Sequence, residues 1–424
     1  MKAVILAGGK GERLRPITST RPKPLIPVLC KPLLFWQLDA LNKIDNINEI
    51  IIVASYMKDK IKESIKSYSS RKPIRIIDQG KELGTGHAVS KALEKIDVDD
   101  EILIIYGDLF LGNWNVLKDL SKIDGNVIVG VEHSNPSEYG VLIVERNKVT
   151  NIIEKPSNPP TNLVNAGIYK FSSIKQLKNY TENIKPSERG EFEFTDAIAN
   201  MAKDGIDIGV YTINEDEWID IGLPWNVLEA NKLALNKYLV HEINGVIESG
   251  VEIKGKVHVG KNTIIRSHSY IIGPVYIDEE VDIGPCTFIR PYSVICRGSR
   301  IGFSVEVKAS IIMEHVHISH LSYVGDSIIC ENVNFGAGTI TANLRFDNKP
   351  VKMMVKDRIV STGRRKFGAV VGANVKTGVN VSLMPGVKIG INSWIAPGSV
   401  VYRDVPDNTF FKPIEKHELK DIKP

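Results

Sequence analysis

Two different periods of hydrophobic positions divide this chain of 424 residues. Up to about residue 240, short apolar runs such as EIIIVAS (49–55), EILIIYGD (101–108) and NVIVGVE (126–132) alternate with longer, helix-like segments such as PLLFWQLDALNKI (32–44) and GTGHAVSKALEKI (84–96). That alternation predicts βαβ units on a mostly parallel sheet. Ligands of such sheets sit at the carboxyl ends of the strands, where AGGKG (7–11) and YGD (106–108) both fall. A helix is expected over PWNVLEANKLALNKYLVHE (224–242), opened by Pro224 and ending near Asn244-Gly245.

Beyond it an aliphatic residue recurs at every sixth position: Ile253, Val259, Ile265, Ile271, Ile277, Ile283, Ile289, Ile295, Ile301 and Val307. After an interruption the column resumes at Leu383, Ile389, Ile395 and Val401. A hexapeptide repeat of this kind predicts a parallel β-helix, in which each piece forms one flat side and points its aliphatic residue inward. An antiparallel sandwich would instead show strict alternation broken by hairpin turns.

The composition, 43% hydrophobic and 25% charged, suits a globular chain of two domains. A formal net charge of +4 is small for this length and argues against a dedicated nucleic-acid surface. Cys30, Cys286, Cys296 and Cys330 form no C-x-x-C pair, and their scattering suits a reducing compartment better than a disulfide framework, so a cytoplasmic location is expected. No apolar run approaches ~18 residues, and the first strand starts at residue 3, so neither a membrane span nor a signal peptide is expected.

Candidate chemistry begins at LAGGKGERLRP (6–16), where a strand runs into a Gly-rich turn able to present backbone N–H groups to an anion. Its spacing matches neither the dinucleotide nor the P-loop signature, since position 14 is Leu and Gly9-Lys10 is followed by Gly11. RPKPLIP (21–27) holds Lys23 between two prolines that stiffen the backbone. QGKELGTGHAV (79–89) supplies Gln79, which donates and accepts like a base edge, and a further glycine turn opening a helix. Asp108 and Asp220 each follow an apolar run, and two carboxylates at ligand-facing strand ends suit Mg²⁺. IIEKP (152–156) and NAGIY (165–169) offer partners for sugar hydroxyls and a second cation.

Taken in this order, these motifs together with WIDIG (218–222) resemble the sugar-1-phosphate nucleotidylyltransferases. The resemblance covers about residues 1–235 and implies a Rossmann-like fold in which Gly8, Gly9 and Gly11 cradle a nucleoside triphosphate. It further implies that Arg13 and Lys23 neutralise departing pyrophosphate, while Gln79, Gly84 and Thr85 read the base. Gly140, Glu154, Lys155 and Asn165 would hold the sugar phosphate, and Asp108 and Asp220 the Mg²⁺. A Gln-and-backbone site accepts UTP or dTTP alike.

In the coil, SHLSYVGD (319–326) and NVNFGAGT (332–339), with IRPYSV and VEVK upstream, are similar to the acetyltransferase half of the bifunctional glucosamine-1-phosphate acetyltransferases/N-acetylglucosamine-1-phosphate uridylyltransferases. That resemblance implies a left-handed β-helix, a homotrimer and acetyl-coenzyme A as cosubstrate. By it, Arg290 and Lys308 bind the sugar phosphate, Tyr323 and Asn334 the amino sugar, and Ala337, Asn343 and Lys349 acetyl-coenzyme A. His320 would be the general base, although Ser319 stands where the family usually has glycine before that histidine. Histidine titrates near neutrality, as removal of an amine proton requires. EHVHISH (314–320) also admits a metal reading through His315, His317 and His320. The basic stretch 341–366 is either a solvated face or a holder of coenzyme A phosphates.

The expected organisation is therefore a nucleotidylyltransferase domain over 1–224, a linker helix over 225–245 and a β-helical acetyltransferase domain over 246–424. The rival reading keeps the first enzyme and makes the coil structural or regulatory.

Overall fold

The computed structural model describes residues 1–413; residues 414–424 of the expected second domain lie outside the described residues. The chain divides into two units: Met1–Gly11 with Arg21–Gly222, and Glu12–Thr20 with the chain from Leu223 onward.

One nine-stranded sheet organises the first unit, in the order Ile74–Asp78, Glu49–Ala54, Lys2–Ala7, Ile102–Tyr106, Leu163–Phe171, Asn126–Glu132, Ile208–Ile213, Lys148–Glu154, Gly140–Glu145. The first four strands are parallel, as the βαβ pattern predicts. The rest of the sheet is mixed, which corrects the expectation of a mostly parallel one. Leu163–Phe171 runs antiparallel to both neighbours, and the last two strands form a hairpin. Arg146 and Asn147 turn that hairpin with φ of 49° and 63°, a tight reversal that needs no crossover helix.

Period two sorts each central strand between two cores: Ala3, Ile5, Ile50 and Ile52 pack on one face, Val4, Ile51 and Val53 on the other. Burial on both faces is why these strands read as unbroken apolar runs. Because the four parallel strands share one direction, Gly8, Ser55, Gln79 and Gly107-Asp108 all emerge at the same edge.

The second unit is built from three parallel sheets of eight, nine and eight short strands, with successive strands joining the sheets in turn. Pairing advances 18 residues at a time, as in Ile253↔Ile271↔Ile289↔Val307 and Ile265↔Ile283↔Ile301. Three six-residue sides therefore complete one coil. The predicted column is the core: Val259 through Val307 are fully buried, and Ile253 packs against them. Side-chain ladders support the corners, where Asn374 Nδ2 donates to Asn392 Oδ1 and Asn392 Nδ2 to Asn408 Oδ1, both at 2.9 Å.

The interruption of the column has two causes. Val307 pairs with Val324, Ile295 with Ile312 and Ile312 with Ile329, steps of 17 residues rather than 18, because the sides Val307→Ile312 and Val324→Ile329 are one residue short. The inward column nevertheless continues through Ile318 and Phe335. After Thr341 the chain leaves the coil for an insertion that carries the hairpin Lys352–Val355/Arg358–Ser361, and it re-enters at Val370–Val371.

The helix expected after residue 223 is Pro224–Tyr238. Cys286 is a free thiol and Cys330 is outside any disulfide, whereas Cys30 and Cys296 are disulfide-bonded, which corrects the reading that set a disulfide aside. Among the described residues no helix is long and apolar enough to cross a membrane.

Candidate functional site

The strand Lys2–Ala7 delivers Gly8 to the sheet edge, where a Cβ would collide with Gln79 Oε1. Gln79 is buried, and its Nε2 donates to the carbonyl of Gly84 at 3.2 Å. Gly84 has φ of 108°, and a Cβ there would lie 2.6 Å from the Phe192 carbonyl oxygen, so only glycine fits. It opens the helix Thr85–Leu93, and Thr85 Oγ1 accepts from Phe194 N at 3.0 Å. The structure thus brings Gly8, Gln79, Gly84 and Thr85 together. Gly9 is exposed, and Gly11 has φ of 65°. Arg13 is exposed on the turn Glu12–Leu14, in a stretch that groups with the second unit.

Lys23 opens the turn Lys23–Leu25, with Pro22 extended before it and Pro24 inside it. Its Nζ donates to Asp108 Oδ2 at 2.8 Å. Strand Leu109–Leu111 pairs with Trp218–Asp220, placing Asp220 opposite Leu109, and Ile221 N donates to the Asp108 carbonyl at 2.9 Å. Two carboxylate residues thereby occupy neighbouring positions of one short ladder. Such a donor set fits Mg²⁺, which takes one or two carboxylates and fills its remaining positions with water and phosphate oxygens.

In the hairpin, Gly140 stands opposite Glu154. Glu154 accepts from Thr195 Oγ1 at 3.1 Å and from Arg189 at 3.4 Å, and Lys155 Nζ lies 3.7 Å away. Arg189 also pairs with Glu193 at 2.8 Å, whose carboxyl is pushed up by burial and then by the Glu154 charge. Asn165 Nδ2 donates to the Tyr169 hydroxyl, its Oδ1 accepts from Gly167 N at 2.9 Å, and Tyr169 donates to Tyr106 at 3.0 Å. Burial pushes both phenols up, so they remain neutral donors.

On the coil, Arg290 follows the strand Phe288–Ile289, and Lys308 ends Glu306–Lys308 one rung on. Arg290 Nη1 donates to Glu306 Oε1 and Lys308 Nζ to Asp326 Oδ2, each at 2.8 Å. Asn343 Nδ2 reaches Asp326 Oδ2 at 2.6 Å and the Tyr323 hydroxyl at 3.0 Å. Burial pushes Tyr323 up, and the Asn343 hydrogen bond partly offsets it. These groups adjoin a cavity of about 320 Å³ whose wall includes Arg290, Lys308 and Asp326.

His320 ends the strand His317–His320 on the adjoining sheet and is exposed; its carbonyl accepts from Gly338 N at 3.4 Å, beside Ala337. Asn334 stands opposite His317, and Lys349 is exposed on the insertion. Arg290, Lys308, Tyr323 and Asn343 are therefore one cluster, with His320, Asn334 and Ala337 on the neighbouring side of the coil. Among the described residues no three His, Cys, Asp or Glu side chains group to hold a metal, so nothing supports the reading of His315, His317 and His320 as ligands.

Sequence reasoning missed Thr195, Arg189, Glu306 and Asp326. Asp326 had a signal: it lies in one of the five-residue sides, and Lys308 borders the other, so the breaks in period mark the cluster.

The family model for nucleotidyl transferases matches residues 2–237, and that for the GMPPB C-terminal domain matches 271–383. A bifunctional sugar-1-phosphate nucleotidylyltransferase/acetyltransferase of Sulfurisphaera tokodaii is 48% identical over 97% of this chain and 100% of its own. A bifunctional protein GlmU of Methanocaldococcus jannaschii is 45% identical over 97% of each chain. A solved UDP-glucose pyrophosphorylase, complexed with UDP-glucose, matches 56% of this chain and 98% of its own at 22% identity, with a TM-score of 0.49. The chain belongs to the nucleotidyl transferase family and, over nearly its whole length, to its bifunctional nucleotidylyltransferase/acetyltransferase members.

Proposed function

We propose that the chain N-acetylates an amino-sugar 1-phosphate, glucosamine or galactosamine, with acetyl-coenzyme A. It then joins a sugar 1-phosphate to a nucleotide from UTP or dTTP, giving UDP-N-acetylglucosamine or a related nucleotide sugar and pyrophosphate. Residues 1–224 carry nucleotidyl transfer, 225–245 link, and 246–424 form a left-handed parallel β-helix that carries acetyl transfer as a homotrimer.

In nucleotidyl transfer the sugar-phosphate oxygen attacks the α-phosphorus in line as pyrophosphate leaves. Catalysis then consists of positioning and charge stabilisation. Gly8, Gly9 and Gly11 hold the triphosphate, Arg13 and Lys23 neutralise the leaving group, and Gln79, Gly84 and Thr85 read the base. Gly140, Glu154, Lys155 and Asn165 orient the sugar. Asp108 and Asp220 hold Mg²⁺, which supplies further neutralisation of phosphate charge.

In acetyl transfer the amine nitrogen attacks the thioester carbonyl carbon, the C–S bond breaks and coenzyme A leaves as thiol. His320 accepts the amine proton and returns it to the departing sulfur. Arg290 and Lys308 face the sugar phosphate, Tyr323 and Asn334 the amino sugar, and Ala337, Asn343 and Lys349 the coenzyme.

The observation that carries a second activity is the connected set Lys308–Asp326–Asn343–Tyr323 beside a cavity of about 320 Å³. A coil serving only as a scaffold needs no such polar cluster. We place both reactions in the cytoplasm on their cosubstrates alone, since the cysteine argument lapses with the disulfide-bonded Cys30 and Cys296. Incubation with acetyl-coenzyme A and glucosamine 1-phosphate tests the reading: thiol release supports it, and none with any amino-sugar 1-phosphate returns the coil to a scaffold.

A further inference from the structure

The cavity in the second unit is walled by four cations, Lys232, Arg290, Lys308 and Arg364, and one carboxylate, Asp326. At about 320 Å³ it sits at the lower end of the ~300–1,000 Å³ range of ligand pockets, the size of a phosphorylated monosaccharide. The two cations that the family resemblance assigns to phosphate are already committed. Arg290 is on Glu306 and Lys308 on Asp326, each at 2.8 Å. A dianion entering the cavity meets little uncompensated charge from that pair.

The other two are less fully committed. Lys232 projects from the helix Pro224–Tyr238 with its ammonium 5.4 Å from the Tyr292 ring, and no carboxylate partners it among the described residues. Arg364 comes from the insertion; its nearest carboxylate oxygen, on Glu229, lies 3.8 Å away, beyond hydrogen-bond distance. Its Nε is buried with no hydrogen-bond partner among the described residues. A buried donor left unmade is costly, and a guanidinium fork matches phosphate oxygens two at a time.

We infer that Lys232 and Arg364 join Arg290 and Lys308 in selecting the phosphate of the amino-sugar 1-phosphate, supplying the positive charge that the carboxylate-paired Arg290 and Lys308 lack. The inference rests on the acetyltransferase reading and extends it to residues on the linker helix and on the insertion. It also reassigns one member of the basic stretch 341–366: Arg364 serves the sugar phosphate, not coenzyme A.

The test uses the full-length protein and the variants Lys232→Gln, Arg364→Gln and Lys232→Arg, with thermal melting to confirm folding. KM is measured separately for glucosamine 1-phosphate and acetyl-coenzyme A, and binding of inorganic phosphate by calorimetry. Losing one charge-assisted contact should raise KM for the sugar phosphate about 10- to 100-fold. KM for acetyl-coenzyme A should stay put, phosphate binding should weaken, and Lys232→Arg should recover most of the loss. Unchanged KM and phosphate affinity in a folded Lys232→Gln variant overturn the inference, as does a rise confined to acetyl-coenzyme A. Should the wild type acetylate no amino-sugar phosphate, the acetyltransferase reading fails separately. Phosphate calorimetry then decides the pocket: binding lost in the variants sustains it, and binding equal to the wild type, or absent from it, overturns it.

Discussion

Lys23 Nζ donates to Asp108 Oδ2 at 2.8 Å, tying a lysine held between prolines to the carboxylate at the end of a central strand. Each charge holds the other in place, and on the proposed reading a triphosphate and its cation would take over both partners. Lys23→Ala should therefore lower nucleotidyl transfer by about 10²–10³-fold, as loss of one preorganised electrostatic group does. Thermal melting of the variant should stay close to wild type, and pyrophosphate release at wild-type rate would remove Lys23 from the mechanism.

Metal removal should separate the two chemistries. Excess chelator is expected to abolish pyrophosphate release while thiol release from acetyl-coenzyme A continues, because Asp108 and Asp220 are both on the sheet unit. Full nucleotidyl transfer in chelator would end the Mg²⁺ assignment.

Much of this was legible beforehand, for a physical reason. Each inward residue from Ile253 to Val307 recurs at a spacing imposed by the three-sided coil, so the core of the second unit could be read off directly. Three things could not. The one-residue deletions after Val307 and Val324 break the period where the strands themselves continue. The antiparallel insertion of Leu163–Phe171 beside Ile102–Tyr106 leaves no mark in an apolar run, since buried strands look alike in either direction. Glu306 was invisible because its role is to pair with a cation 16 residues away along the coil, and Asp326, paired with Lys308 18 residues away, was marked only by the shortened side it lies in.

Lys308 and Asp326 form a largely buried ion pair, 19% and 7% exposed. Lys308→Met should destabilise the second unit by about 3 kcal/mol, the cost of leaving a buried carboxylate unpaired. Adding Asp326→Asn should recover most of that loss, and denaturant melts of the two variants measure it. A double variant no more stable than Lys308→Met would show that packing, rather than the unpaired charge, sets the cost.

Burial holds the Tyr323 phenol above its ordinary value of 10.0. The group is therefore protonated throughout neutral and mildly alkaline pH, and its ionisation should not shape the acetylation profile below pH 10. Tyr323→Phe should raise KM for the amino sugar and leave the pH profile of kcat unchanged. A limb of the wild-type profile that vanishes in Tyr323→Phe would contradict this.

The coil is expected to assemble as a homotrimer. Light scattering at micromolar concentration should give three times the 47.1 kDa chain mass; a monomeric mass would count against it.

The most direct test of two separate activities in one chain is a pair of variants carried through both assays. His320→Ala should cost acetyl transfer about 10²–10⁴-fold, the usual contribution of a general base, and leave pyrophosphate release intact. Asp108→Ala should abolish pyrophosphate release and leave acetylation intact. A His320→Ala variant that acetylates normally, or a wild-type chain that never acetylates an amino-sugar 1-phosphate, would contradict the assignment of acetyl transfer to the coil.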